Sequence, residues 1–533
     1  MPPAPTAPMT VEARKSTASQ RPTIPVRAGP TPSATIGETV ERRSDGTARS
    51  IVLLVVQHGI TILGGILFVV IVPRLMGPAT YGRYALMTSL AMWFALISGL
   101  GMLHLIARYV PGLAVHEPAR LNTFLGNLLA LRLISGAVTA ALYGAVTVVW
   151  LRDQAIDALL LLAGSILVRA MANVVFAMFL GLNRPGYWLA EDSLRRWLSL
   201  ALIVPAFSLG GLTGACAAVL GTEVLLLAFG AWAGRSWLAG IDVRLDLGAL
   251  TPYLRLGLAF YATQLLSTAL YASGEPLVRS VSGDYAEVAY FALAHAMYLP
   301  AVVALPQLTL LFVPVLSELL ARGEAGAYRR SVERLLTWLV VGGVVVVLAS
   351  LLLGENIVAL MLGHGYAPVA ANLLPLSAAL LIFAFASVTS ALALVHERPR
   401  PIVTAACLRL LVFWSVGPPL VAHHGAWGCA LAAAIAAAAH SGWLAWSMRR
   451  NLAGTLRVPL MAVALGALFL PLVWLRASAV TDLLLFLAFA AAYGALLFRA
   501  GVLTRAELKA LVDAMFAGRA KGDARRSPAP AVL

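Results

Sequence analysis

Fourteen apolar stretches, joined by short links, fill the chain from Ile51 to Phe498, and no other feature restricts its fold so tightly. Each is roughly 18 to 25 residues long, the length a helix needs to cross about 30 Å of hydrocarbon. Backbone groups in lipid must find partners within the segment or within a closed barrel. A barrel needs alternating strands of about ten residues, whereas these runs are apolar on every face. The sequence therefore predicts an all-α polytopic membrane protein with 14 transmembrane helices. The expected spans are 50–71, 85–106, 123–149, 156–178, 194–210, 213–233, 254–274, 288–314, 335–353, 369–391, 401–421, 424–447, 457–475 and 480–499.

Composition agrees. With 60% hydrophobic and 12% charged residues, a soluble chain would expose large apolar patches. The net charge of +15 does not point to nucleic acid, because the basic residues dot the links instead of clustering on a module. Such a distribution controls topology. Alternate links hold seventeen arginines, from Arg108 to Arg457, against five in the other set: Arg74, Arg83, Arg152, Arg279 and Arg476. The richer set is expected to face the cytoplasm, with both termini. Cys216, Cys407 and Cys429 have no metal-site or disulfide spacing and read as small hydrophobes in or beside spans. No metal or cofactor is expected.

The ends differ from the middle. Residues 1–49 are rich in Pro, Thr, Ser and Ala and read as a disordered tail. The first apolar run comes too late and is too long for a cleavable signal peptide. Within the tail at 502–533, Thr504-Arg505-Ala506-Glu507 has the form of a capping box. Leu508, Leu511, Val512, Met515 and Phe516 then share one helical face. This fits a short amphipathic helix, lying in the interface or folded under the cytoplasmic face.

The chain also repeats. At a shift of 214 positions, Arg184-Pro185 meets Arg398-Pro399, Arg195 meets Arg409, and Gly211 and Gly214 meet Gly425 and Gly428. Residues 50–233 and 254–447 are thus expected to form two pseudo-symmetric six-helix bundles of one orientation, with a cleft between them. Residues 457–499, helices 13 and 14, lie outside the repeat.

Three stretches carry a resemblance: 76–112 with its Gly-Pro-x-x-Tyr-Gly-x-Tyr-Ala-Leu link, 307–335, and 355–376. In order, they resemble the polysaccharide/oligosaccharide flippase family, the O-antigen-type exporters of the multidrug/oligosaccharidyl-lipid/polysaccharide superfamily. The resemblance implies translocation of an undecaprenyl-diphosphate-linked oligosaccharide to the outer leaflet of a bacterial inner membrane, by alternating access. It also implies work beside glycosyltransferases and a glycan polymerase, in lipopolysaccharide or related polysaccharide biosynthesis. By analogy with lipid II flippases, helices 13 and 14 would border a groove for the lipid tail.

The charges can be read without the family. A diphosphate cannot cross hydrocarbon unaided, because burying an unpaired charge is prohibitive. Arginines within the spans supply bidentate partners. Arg132 and Arg169 are the central candidates, with Arg74 and Arg279 at the outer ends of repeat-equivalent helices. For Arg132 and Arg169 the structural alternative is an ion pair or snorkelling. Arg195 and Arg409 are expected to snorkel to the cytoplasmic interface. Glu223 reads as a coupling site or the partner of Arg169. Glu275 reads as a coupling site or an i,i+4 partner of Arg279. Gln264 and His295 are candidates for sugar hydroxyls, although a lone His on an apolar helix is more often a packing residue. Pro300, Pro306 and Pro314 are expected to break up helix 8.

Rival functions are weaker. No phosphate-binding loop for ATP is present. The short outer links give an O-antigen polymerase or glycosyltransferase little to work with. A multidrug/organic-cation antiporter of the same superfamily usually carries acids in its cavity, whereas arginine predominates within these spans.

Overall fold

The computed structural model describes residues 57–504, apart from 58, 183 and a number of positions between 249 and 271. Both expected tails, and the amphipathic helix past Thr504, lie outside the described residues. Among the described residues the chain is helical and without strands. In order, the principal helices are α1 (Gly59–Met76), α2 (Pro78–Ile97), α3 (Met102–His116), α4 (Pro118–Trp150), α5 (Ile156–Gly181) and α6 (Pro185–Ala233). There follow α7 (Gly274–Ser282), α8 (Tyr285–Leu310), α9 (Val313–Ala321), α10 (Ala325–Leu362), α11 (Pro368–Val395), α12 (Arg400–Ser447), α13 (Arg457–Ala467) and α14 (Ala479–Arg499).

Among the described residues, 10 helices are long and apolar enough to cross a membrane, or 11 if α2 and α3, bent by 43°, form one span. The expected count of fourteen is not established by them: 254–274 falls partly outside the described residues, and α6 and α12 each run through two expected spans. Two helices are much longer than one crossing. The 49 residues of α6 and the 48 of α12 would each extend about 70 Å if straight, more than twice the hydrocarbon core. Each instead folds back on itself at a glycine: Gly211 (φ 55°, ψ −137°) and Gly425 (φ 56°, ψ −134°). Only glycine adopts that conformation without strain. The arms then press so close that a Cβ on Gly214 would collide with the Ala206 carbonyl, and one on Gly428 with that of Leu420. The two hairpins match residue for residue at the 214-position shift.

A third equivalence marks the other end of these hairpins. Arg235 lies 5.8 Å from the Trp232 ring and Arg449 lies 5.1 Å from the Trp446 ring. Both tryptophans are exposed, 62% and 58%. An exposed indole beneath a guanidinium suits the boundary between acyl chains and headgroups.

The expected break-up of helix 8 by proline is corrected. Pro300 and Pro306 sit inside a continuous α8, and the helix yields only at Leu311 and Phe312. Pro314 falls in the first turn of α9, where a missing N–H costs nothing.

The halves of the repeat meet mainly at the end of the bundle that holds Gly77, the link 151–155, Gly283 and the link 363–367. Here α2 crosses α8 with no room for a side chain: a Cβ on Gly82 would overlap the Tyr285 carbonyl. The Tyr366 hydroxyl donates to the Pro73 carbonyl at 2.6 Å, and Arg74 donates to the Leu360 carbonyl. At the other end the apolar clusters separate. Leu105, Leu125 and Met178 pack with Leu250, while Leu316, Leu336 and Leu392 pack with Met448. The Asp482 carboxylate accepts from Asn356 at 2.7 Å, and Arg476 pairs with Glu355 at 2.9 Å, so the loop before α14 and its first turn are held to the end of α10.

Candidate functional site

Among the described residues, three groups of polar side chains hold the sequence candidates. The first lies within the first half, where α4, α5 and α6 meet. Arg195 is its hub. Its guanidinium donates to Glu223 at 3.0 Å, to Glu191 at 2.7 Å and to Asn173 at 3.1 Å. Arg169, one turn from Asn173 on α5, lies 3.7 Å from the same Glu223 and keeps 29% of its side chain exposed. Two guanidinium groups therefore share two buried carboxylates.

Arg132 stands beside this cluster without joining it. It is 4% exposed, about 21 Å along α4 from Pro118. Its Nε donates to the Ala170 carbonyl at 3.0 Å, and its Nη1 is buried with no hydrogen-bond partner among the described residues. Arg169 and Tyr261 lie near enough to act on it electrostatically. A buried guanidinium with a free N–H is costly and calls for an anionic partner.

The second place is the junction of the halves. Glu275, in the first turn of α7, has an Oε1 3.6 Å from His295 Nδ1, and its Oε2 accepts from Ser89 of α2 at 3.2 Å. Trp93, one turn along α2, donates to the Ala272 carbonyl at 2.7 Å. His295 stacks on Phe291.

The third is the sealed end. Gln154 donates to the Tyr285 hydroxyl at 2.9 Å, and that hydroxyl donates to Asp153 at 2.7 Å. Arg279 lies 3.5 Å from Asp153 and 4.1 Å over the Tyr285 ring, which Arg83 also approaches. Burial alone would push the Asp153 carboxyl up, but hydrogen bonds from Tyr285 and Gln154, with the Arg279 charge, bring it below its ordinary value.

The structure places Arg132 within electrostatic reach of Arg169, while Arg74 and Arg279 fasten the sealed end. Glu223 pairs with Arg169 and more closely with Arg195, so Arg195 does not snorkel. Arg409 is also buried, packed 5.0 Å over Phe383. Glu275 pairs with His295 and Ser89, not with Arg279. Gln264 lies outside the described residues. Asp153, Gln154, Tyr285 and Glu191 were missed. Glu191 had a signal, its i,i+4 spacing to Arg195; the others sit in links or at a helix start, where spacing carries no contact information.

The repeat is not symmetric here. Shifted by 214, Arg169, Glu191 and Glu223 become Phe383, Ala405 and Ala437. Among the described residues, only the first half has the ion cluster.

A family model described as "Polysaccharide biosynthesis protein" matches residues 47–320. No curated protein matches the chain. Among solved structures, the fold is similar to the lipid II flippase MurJ in an inward closed conformation, at 13% identity and TM-score 0.65, covering 85% of this chain and 100% of that one. It is also similar to a multidrug resistance MATE family transporter of the MOP superfamily in its inward-facing conformation, at 16% identity and TM-score 0.60, covering 75% and 94%. An outward-facing MATE structure gives 16% identity and TM-score 0.50, covering 76% and 94%.

Proposed function

Since the chain belongs to the polysaccharide biosynthesis protein family, we propose that it is a flippase carrying an undecaprenyl-diphosphate-linked oligosaccharide from the cytoplasmic to the outer leaflet of a bacterial inner membrane. The supporting observation is Arg132 beside Arg169: a buried guanidinium with an unmatched N–H next to a second that is still accessible. A diphosphate supplies oxygens for both. The prenyl tail stays in lipid, and the glycan travels in the cleft between lobes 50–233 and 254–447. Helices 13 and 14 flank the path of the tail.

Alternating access follows from where the halves touch. The sealed end, with few arginines in its links, faces outward, and the arginine-rich end faces the cytoplasm with both termini. The better match to an inward-facing than to an outward-facing MATE structure, 0.60 against 0.50, agrees. The headgroup enters from the cytoplasm, meets Arg169 and Arg132, and leaves once the outer contacts part. Glycosyltransferases supply the substrate and a polymerase consumes it.

The test is binding of a fluorescent polyprenyl diphosphate to purified protein. Arg132→Ala and Arg169→Ala should each weaken it by about tenfold or more, the worth of one or two charge-assisted hydrogen bonds. Arg457→Ala should not. Unchanged binding in both variants, or binding of a hydrophobic cation instead, would replace this reading with the antiporter.

A further inference from the structure

Glu223 stands on the second arm of α6 with its side chain 3% exposed, and two guanidinium groups reach it from different elements. Arg195, on the first arm, grips both of its oxygens: Nε lies 3.0 Å from Oε1 and Nη2 lies 3.4 Å from Oε2. The same guanidinium is tied to Glu191 and Asn173, so Arg195 is fixed on several sides. Arg169, on α5, is held loosely. Its Nε approaches Oε1 of Glu223 at 3.7 Å, too long for a hydrogen bond. Among the described residues, Glu191 comes within 4 Å of Arg195 but not of Arg169. Asp192, the next acid on α6, turns away to Arg196. With Arg132 alongside, three guanidinium groups face two carboxylates, which leaves one positive charge in excess.

We propose that Glu223 is the counter-ion that parks Arg169 while the site is empty and takes it back when the headgroup leaves. This role rests on the reading of a diphosphate as the anion. Arg169 can swing off Glu223 at little cost, because the two-point contact with Arg195 still neutralises the carboxylate. Arg195 cannot do the same, since its departure would strand Glu191 and leave Glu223 with a single distant partner. The two arginines therefore divide the work. One stays to balance the carboxylates, and the other travels to the ligand. An incoming diphosphate offers Arg169 paired N–H···O bonds, which a lone 3.7 Å approach does not match. As the headgroup departs, the exchange reverses: Glu223, still in place, competes for Arg169 and weakens its hold on the phosphates. Without that competitor the excess cations would bind a diphosphate firmly and give it up slowly, and tighter binding of the resting substrate does not speed turnover. Glu223 is thus a positioning residue that acts through Arg169.

The first measurement needs no lipid. Phenylglyoxal, which modifies accessible guanidinium groups, is applied to the purified full chain, and Arg169 is followed by peptide mass spectrometry. Glu223→Gln should raise its modification rate by about fivefold or more. Glu191→Gln, which removes an equal charge beside Arg195, should leave it within about twofold. The second measurement uses the fluorescent polyprenyl diphosphate. Glu223→Gln should bind it about tenfold more tightly and flip it more slowly, whereas a merely structural role would lower both. In an Arg169→Ala background the gain in affinity should shrink to about twofold or less. If the amide variant does not fold, Glu223→Asp, one methylene shorter, carries both measurements with smaller shifts in the same direction. Unchanged modification of Arg169, equal effects of Glu191→Gln and Glu223→Gln, or a gain in affinity that survives Arg169→Ala overturns the proposal. If modification rises as expected but no variant binds the lipid diphosphate, the substrate reading falls and the parked arginine stands.

Discussion

At the scale of single residues, the buried ions decide more than their number suggests. Arg195 holds Glu191 and Glu223 within α6, and its removal leaves both carboxylates beside Arg169 alone. Arg195→Ala should cost about 3–5 kcal/mol of stability, the usual penalty for breaking a buried pair. Arg195→Ala combined with Glu191→Gln and Glu223→Gln should recover much of that, as read from thermal unfolding in detergent. Asp153 makes a separate pH prediction. Its carboxyl is held below its ordinary value, so its contribution to the seal is present above about pH 4 and is lost as pH falls through the lowered value. Asp153→Asn should loosen the sealed end at neutral pH and remove that acid response.

At the scale of elements, glycines shape the hairpins and the crossing. Gly211 and Gly425 hold a positive φ with ψ near −135°, and a side chain there is strained by about 1–3 kcal/mol. Gly211→Val or Gly425→Val should lower the unfolding temperature without touching lipid-diphosphate affinity. Gly82 differs, because its neighbour is the backbone of the opposite half. Gly82→Leu cannot be accommodated while the seal is closed. It should hold the halves apart there, seen as a longer distance between spin labels at Arg152→Cys and His364→Cys. The hairpin glycines could be found from sequence, since they align at the repeat shift. The Gly82 crossing could not, because it joins positions some 200 residues apart that share no pattern.

At the scale of the whole molecule, the repeat gives the architecture and its asymmetry gives the chemistry. Both halves keep the Gly hairpin and the Trp–Arg pair, which suit any bundle in a bilayer. Among the described residues, only the first half gathers three arginines with two carboxylates, while Arg409 rests on Phe383 in the second. An anionic headgroup would therefore be held by one half and released as the other moves. Phe383→Arg, which restores the first half's residue type, should disturb release more than binding: affinity for lipid diphosphate holds or rises while the flipping rate falls.

Length, hydropathy and link charge were enough to establish a polytopic helical bundle, and two aligned segments were enough to suggest its doubling. Those properties are local or periodic, so the chain displays them before it folds. Which carboxylate meets which guanidinium was a matter for the tertiary structure alone. Glu275 has Arg279 one turn away, yet it faces His295 and Ser89 because α7 turns that side toward α2 and α8. Inside a bilayer many pairings satisfy the same charges, and the choice falls to the packing of helices whose contacts no spacing along the chain records.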